Sequence, residues 1–286
     1  MLRHLLDVDD LSSDELTMVL DLAEQPDPPP VLAGRGAALL FEKPSNRTRV
    51  SMEMAVVQLG GHPVSLRGEE VGVDTRETAE DLARVFSGFC ALIGARVFEH
   101  AKLVRMASAA DVPVVNLLSD DAHPVQALGD LLTLRQRLGS FPGLTLAYVG
   151  DGNNVCRSLM LAAARAGMAM RVAAPRGYEP PPDGVTELTQ DPAEAVDGAD
   201  AVYTDVWASM GQEGEADKRR RDFAGFTVDD DLMARAKPGA VFLHCLPAHR
   251  GEEVAASVID GPQSAVWDQA ANRMHAQRGL IVWLLS

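Results

Sequence analysis

The chain has few cysteines, no long hydrophobic run and a deficit of positive charge. Its 286 residues hold three cysteines, Cys90, Cys156 and Cys245, widely spaced and in no C-x-x-C pair. That argues against a disulfide or zinc framework and for reduced thiols in a cytoplasm. No apolar run approaches the ~20 residues that a membrane helix needs. The start, Met1 to Asp7, meets acid too early for a signal peptide. With a formal net charge of −15, the chain repels nucleic acid overall. A cluster of arginines inside so acidic a protein is therefore informative, because it can focus a small anion into one cleft. No repeat of fixed period is present, and G-x-x-x-x-G-K-[ST] is absent, which excludes a Walker loop. The length suits two domains.

The most telling segment runs from 37 to 59. Ala37 to Phe41 is an apolar run that reads as a buried strand, and Val50, Met54 and Val57 then recur at helical spacing up to Gly60-Gly61. Between them lies Ser45-Asn46-Arg47-Thr48-Arg49. These polar residues sit where a strand turns into a helix, beside free backbone N–H groups and the positive end of the helix dipole. Hydroxyls, an amide and two guanidinium groups there suit a doubly charged oxyanion such as phosphate. The plainer reading is a capped surface helix with a solvated Arg pair. It ranks second, because a cap needs one hydroxyl rather than this density of donors.

The rest of the chain alternates between the two periods. A helix is expected over 9–25, with Ser12 and Glu15 at capping-box spacing and Leu16, Val19, Leu20 and Ala23 buried. Strands are expected at 63–66, 91–93 (ending at Arg96), 112–117, 144–149, 171–174, 201–204, 240–244 and 265–267. Helices are expected at 78–86, 102–110, 123–138, 154–166 and 271–285, and 67–75 as a polar functional loop. Alternation of this kind predicts α/β architecture: two doubly wound parallel-sheet domains of similar size, joined by bridging helices. The expected domains are 1–133, with 270–286 packing back on it, and 134–269. In open parallel sheets, ligands bind beyond the carboxyl ends of strands. Ser45, Arg96 and the pair His123 and Gln126 all follow strand ends, although a histidine at a helix start is also an ordinary cap.

Three further constellations stand out in the second half. Gly150-Asp151-Gly152-Asn153-Asn154-Val155 raises a dinucleotide fold, but Val155 replaces the third glycine and Pro175 stands where the ribose-binding acid belongs. What remains is a tight turn bearing two amides. Asp205, at another strand end, is either a carboxylate for an ammonium group or a cap. The run 212–225, with Lys218 to Arg221 among acids, reads as a solvated, mobile loop. Cys245 lies between His244 and His249, as a nucleophile or as a thiol packed at a strand end.

Taken in order, Phe41-Glu42-Lys43-Pro44-Ser45-Asn46-Arg47-Thr48-Arg49, His123-Pro124-Val125-Gln126, Asp205-Val206-Trp207-Ala208-Ser209-Met210-Gly211 and His244-Cys245-Leu246-Pro247 resemble the ornithine carbamoyltransferases over nearly the whole chain. The resemblance implies an N-terminal carbamoyl-phosphate domain, a C-terminal ornithine domain and a homotrimer with active sites between subunits, with no metal or cofactor. It places Ser45, Asn46, Arg47 and Thr48 on the phosphate, and Arg96, His123 and Gln126 at the carbamoyl end. Asn154, Asp205, Ser209 and Met210 fall to ornithine, and Cys245, Leu246 and Arg273 close over the carbamoyl group. Three departures matter: Asn46 stands where many relatives have Thr, Gly72 where many place a Gln that reaches the neighbouring subunit, with Arg76 as a substitute, and the segment from Gln25 to Arg35 is short, which implies a trimmed N-terminal helical layer. The implied reaction, carbamoyl transfer to the ornithine side chain in arginine metabolism, needs Arg47, Thr48, Arg96, His123 and Cys245 as its catalytic groups. Competing readings are a carbamoyltransferase for putrescine or an acylated ornithine, a non-catalytic ligand-binding paralogue and, more remotely, a nucleotide-binding dehydrogenase. A histidine acting as a neutral donor would add a pH limb near 6.5.

Overall fold

The computed structural model describes residues 2–208 and 213–286. The chain divides into two compact units, residues 1–132 with 271–286 and residues 133–270. Both are parallel α/β sheets.

In the first unit the elements are α1 (Ser13–Ala23), β1 (Gly36–Phe41), α2 (Arg47–Gln58), β2 (His62–Arg67), α3 (Gly68–Val71), α4 (Ala79–Phe89), β3 (Cys90–Arg96), α5 (His100–Ala109), β4 (Val114–Leu118) and the start of α6 (Pro124–Leu138). The strand order is β2-β1-β3-β4, with every pair parallel. The central strands β1 and β3 are buried along almost their whole length, whereas the edge strand β2 alternates with solvent. Ser12 and Glu15 form the expected capping box, and Leu16, Val19, Leu20 and Ala23 are the buried stripe of α1.

The second unit carries β5 (Thr145–Val149), α7 (Asn154–Ala166), β6 (Ala169–Ala173), β7 (Glu187–Thr189), α8 (Pro192–Val196), β8 (Ala201–Thr204), α9 (Ala216–Asp222), α10 (Asp230–Met233), β9 (Val241–His244) and α11 (Ala256–Ile259). Its order is β7-β6-β5-β8-β9, again parallel. The long helix α12 (Val266–Leu285) begins in this unit and ends in the first. There Arg278 donates to the Ala23 and Gln25 carbonyls at 3.0 and 2.6 Å, tying α12 to the end of α1.

Several local expectations are corrected. Residues 265–267 are not a strand. Ser264 makes one isolated bridge to Phe242, and Val266 already opens α12, because three apolar residues are too few to specify a period. The loop at 67–75 begins with the helical turn α3. The charged run 212–225 contains the helix α9, and Arg219 on it is buried. Val50, Met54 and Val57 do mark a helix but face outward. The buried face of α2 is Thr48, Ser51, Met52, Ala55 and Val56, so the core takes the smaller side chains. The short elements β7, α8, α10 and α11 were not anticipated.

Each sheet reverses its winding once. After β1 the chain adds β2 on one side and β3 on the other; after β5 it adds β6 and β7 on one side and then β8 on the other. Such switch points leave a crevice at the carboxyl ends of the strands flanking them. In the first unit those ends are Phe41 and Arg96, which are paired in register, and in the second Val149 and Thr204, also paired.

Candidate active site

At the first switch point, the turn after β1 is fastened by Glu42. Its backbone N–H donates to the Arg96 carbonyl at 2.8 Å, and its carboxylate accepts from Lys102 Nζ at 2.9 Å and Phe98 N–H at 3.0 Å. The turn therefore delivers α2 beside the end of β3. The N-cap residue of α2, Asn46, makes no side-chain cap bond, and the first turn holds no acidic residue. By contrast, α1 and α4 are capped by Ser12 and Thr78 and begin with paired acids. The α2 terminus thus keeps its positive dipole end and donors available to an anion, against the capped-helix reading.

Arg47, Thr48, Arg96, His123 and Arg273 converge there. Thr48, Arg96, His123, Gln126 and Arg273 are all buried. The Arg273 guanidinium, reaching from α12, donates to Thr48 Oγ1. Burial, then the charges of Arg273 and Arg47, bring the Arg96 guanidinium down to about 10. Burial, then Arg273 and Arg96, push the His123 imidazole well below its ordinary range, so it is neutral near pH 7. All of these charges have the same sign, and an oxyanion would balance them. Arg96 Nε and Gln126 Oε1 are buried with no hydrogen-bond partner among the described residues, while Gln126 Nε2 is held by Asp130 Oδ1 at 2.8 Å. Ser45 is half-buried at the turn. Arg49 does not join the cluster but pairs with Glu53 at 2.9 Å.

Gly72 has φ +65°, and a Cβ there would lie 2.8 Å from Thr75 Oγ1 and 2.9 Å from Arg76 Cγ. Arg76 donates to the Glu70 carbonyl at 2.8 Å within its own loop. Gly72 thus takes a left-handed conformation that suits glycine.

At the second switch point the glycine-rich turn holds protein. A Cβ on Gly152 would stand 2.2 Å from Pro180 N, and the Gly152 N–H donates to the Tyr178 carbonyl at 2.8 Å. Asn153 Oδ1 accepts from Val155 N–H and Cys156 N–H at 2.9 and 3.1 Å, so the N-terminus of α7 is already capped. Chain and cap together fill the place of a dinucleotide pyrophosphate, and the dehydrogenase reading falls. Asn153 Nδ2 instead donates to Asp205 Oδ2 at 2.9 Å, and Asn154 stands half-buried at the first position of α7.

Asp205 caps no helix among the described residues. It is buried beyond β8, and its Oδ1 accepts from Val206 N–H and from the Cys245 thiol, both at 2.8 Å. Both ring nitrogens of His244 are occupied, Nδ1 by Leu246 N–H at 2.9 Å and Nε2 by Glu253 at 3.2 Å. His244 is therefore no base for Cys245, and the thiol belongs to the Asp205 group. Ser209 and Met210 lie outside the described residues.

Glu42 and Arg219 are organising residues that sequence reasoning passed over, and Asn153, one of the two turn amides, has a partner in Asp205 that the sequence did not indicate. Arg219 Nη1 donates to Asp151 Oδ2 at 2.8 Å and to the Trp207 carbonyl at 2.7 Å, linking α9 to the turn after β5. Burial still holds the Asp151 carboxyl above its usual range despite this partner. Nothing in the charge run singled Arg219 out from its neighbours.

Two family models match. Residues 3–136 match the carbamoyl-P binding domain of aspartate/ornithine carbamoyltransferase, and residues 142–284 match its Asp/Orn binding domain. A relative from Acidothermus cellulolyticus, named ornithine carbamoyltransferase, is 51% identical over 303 aligned positions that span 100% of this chain and 97% of its own. The crystal structure of ornithine carbamoyltransferase from Thermus thermophilus superposes with a TM-score of 0.93 at 47% identity, covering 100% of both chains. The ornithine carbamoyltransferase structure from Pyrococcus furiosus gives 0.93 at 45% identity, over 98% of this chain and 96% of that one. On sequence and on fold alike, this chain belongs to the aspartate/ornithine carbamoyltransferase family.

Proposed function

We propose that the chain transfers the carbamoyl group of carbamoyl phosphate to the side-chain amine of L-ornithine, giving L-citrulline and phosphate. The observation that carries this is the same-sign cluster of Arg47, Arg96 and Arg273 around a neutral His123 at an uncapped helix terminus. A cluster of that kind suits a phosphate dianion with a carbonyl beside it. We assign the phosphate to Ser45, Asn46, Arg47 and Thr48, and the carbamoyl group to Arg96, His123, Gln126, Cys245, Leu246 and Arg273. We assign ornithine to Asn154, Asp205, Ser209 and Met210, with the Asp205 carboxylate on its α-ammonium. The first domain, 1–133 with 270–286, then serves carbamoyl phosphate, and 134–269 serves ornithine.

In the reaction, the lone pair of the neutral δ-amine forms a bond to the carbonyl carbon. The carbonyl π electrons move onto oxygen, where Thr48, Arg96 and His123 stabilise the charge. They return as the bond from carbon to the phosphate oxygen breaks, and the amine loses one proton to the departing phosphate or to solvent. Fixed donors at the oxygen and at the leaving group supply most of the acceleration. Putrescine lacks the α-ammonium that Asp205 would hold, and an acylated ornithine has that group blocked.

We further infer a homotrimer that works in arginine metabolism, in a reducing cytoplasm. The exposed stripe Val50, Met54 and Val57 on the helix that begins at Arg47 supports the assembly, and three cysteines in no disulfide support the compartment. The deciding experiment is a colorimetric assay for citrulline and related ureido products. Carbamoyl phosphate is supplied with ornithine, N-acetylornithine, putrescine, lysine or aspartate. Ornithine should be the preferred amine by a wide margin; carbamoylation of none of them, or preference for another, overturns the reading. Light scattering of the purified chain should return three times its 30.6 kDa mass.

A further inference from the structure

We propose that Glu253 is a positioning residue for carbamoyl transfer, acting through His244 to set the backbone of Leu246. The inference rests on the assignment of Cys245 and Leu246 to the carbamoyl group. His244 and Glu253 are completely buried, and neither is among the residues expected to touch a substrate. Leu246 N–H donates to His244 Nδ1 at 2.9 Å, so that nitrogen is the acceptor. The ring proton is therefore on Nε2, which donates to Glu253 Oε1 at 3.2 Å. The same Oε1 accepts the His249 N–H at 2.5 Å. One carboxylate thus selects the imidazole tautomer and receives the backbone of the segment on the far side of Leu246.

Leu246 itself has φ +60°, in the left-handed region that a branched side chain rarely enters. Such a conformation persists only where its surroundings over-determine it, and it concentrates at functional sites. The His244–Leu246 bond is the restraint on that residue, and Glu253 determines which ring nitrogen is free to make it. If the carboxylate is lost, the proton is free to move to Nδ1, where it faces the Leu246 N–H and abolishes the bond. The adjacent Cys245 thiol rests on Asp205, so a shift at Leu246 also reaches the group assigned to the ornithine ammonium. Glu253 has a second feature pointing the same way. Its Oε2 is buried with no hydrogen-bond partner among the described residues, an arrangement costlier than an apolar side chain would be. A metal ion shared with His249 and Glu252 is the competing explanation, but Glu252 is already paired with Arg220 at 3.0 Å.

The test compares Glu253→Met, Glu253→Asp and Glu253→Gln in steady-state citrulline assays, with the His244 tautomer read from ¹⁵N imidazole shifts. The His244 signals are assigned by their loss in His244→Gln. Wild type should show the Nε2–H tautomer. Glu253→Met should lower kcat by up to about 100-fold, the scale of a misplacement near 1 Å. Its KM for carbamoyl phosphate should stay within about threefold of wild type. Glu253→Gln keeps an acceptor for Nε2–H and should recover most of kcat. Where Glu253→Met fails to fold, Glu253→Asp, one methylene short of His244, should show the same loss in kcat. An Nδ1–H tautomer in wild type overturns the proposal. So does a folded Met or Asp variant with wild-type kcat, or a Gln variant as impaired as Met. Absence of citrulline formation by wild type refutes the assigned reaction instead, and the His244 tautomer in wild type and Glu253→Met then decides the relay by itself.

Discussion

Replacing Arg96 with methionine removes a charge that the folded protein holds at a cost. The side chain is 5% exposed and its Nε has no hydrogen-bond partner among the described residues. Burial, Arg273 and Arg47 bring it down to about 10. An ordinary guanidinium titrates above about 12, so the charged form is opposed by about 3 kcal/mol. At pH 7, below both values, the whole penalty applies. Methionine fills a similar volume without the charge, at a packing cost under about 1.5 kcal/mol. Unliganded Arg96→Met should therefore be more stable than wild type by about 1–3 kcal/mol, a rise of several degrees in Tm at about 2–4 °C per kcal/mol. With carbamoyl phosphate at a hundred times its Kd, wild type should gain about 2.7 kcal/mol and the variant far less. Citrulline formation should fall by about 10²–10³-fold, the usual cost of losing one oxyanion donor. Scanning calorimetry of both proteins, with and without carbamoyl phosphate, reads all the stability terms. An unliganded variant that melts below wild type would refute the argument, because the site would then not be holding Arg96 at a cost.

Other substitutions separate the remaining roles. Asp205→Asn should weaken ornithine far more than carbamoyl phosphate in titration calorimetry, and equal losses for both would make Asp205 structural. Gly152→Ala puts a Cβ 2.2 Å from Pro180 N, against backbone that cannot rotate away, and should cost about 2 kcal/mol or more in urea denaturation. An unchanged midpoint would show that the 178–180 segment yields freely. His123 adds no limb near pH 6.5, because burial, its largest cause, lowers its pKa well below that. With carbamoyl phosphate saturating, kcat/KM for ornithine should rise between about pH 6 and pH 9 along the amine limb alone. A second limb near 6.5 that disappears in His123→Asn would contradict this. The same lowered value makes the unfolded chain take up the proton first, so His123 costs stability as pH falls below about 6.5.

Much of the fold was legible because strong local signals agreed with tertiary demands. Ser12 with Glu15, Thr78, Pro124 and Gly139 mark helix ends by their own chemistry, and the observed ends match them. Buried strands such as Ala201–Thr204 are continuous apolar runs because both faces are covered. Legibility failed where a choice was tertiary. Nothing within α2 says which of its two apolar stripes faces the sheet; the close fit under the helix selects Met52, Ala55 and Val56 and leaves Val50, Met54 and Val57 outside. Arg219 is one of four consecutive basic residues, and only the positions of Asp151 and the Trp207 carbonyl distinguish it. Ser45, Arg47, Thr48, Arg96 and His123 were legible because they follow strand ends, whereas Arg273, within α12, came only with the family resemblance. The bonds that orient the site were not legible, because Glu42 and the Asn153 amide act on residues distant in sequence.

On the proposed assignments, the two strand-turn-helix junctions put one local geometry to use for ligands of opposite charge. Both α2 and α7 begin at a switch point, with the same free N–H groups and the same dipole. At α2, Asn46 leaves those donors uncapped, and Arg47, Arg96 and Arg273 add charge of the dipole's own sign. The result is a site that pays in self-repulsion until an anion arrives. At α7, the Asn153 carbonyl satisfies two of the N–H groups, which leaves its amide protons to hold Asp205 in place. The carboxylate is thereby fixed next to a helix end that no longer competes for it, which suits the ammonium proposed for it. Exchanging Asn153 for Ala would undo both effects at once. It should uncap α7 at a cost of about 1 kcal/mol. It should also release Asp205 and raise KM for ornithine, leaving carbamoyl-phosphate binding in the other unit unchanged. A variant whose ornithine KM stays at the wild-type value while α7 loses stability would show that the cap and the ammonium site are independent.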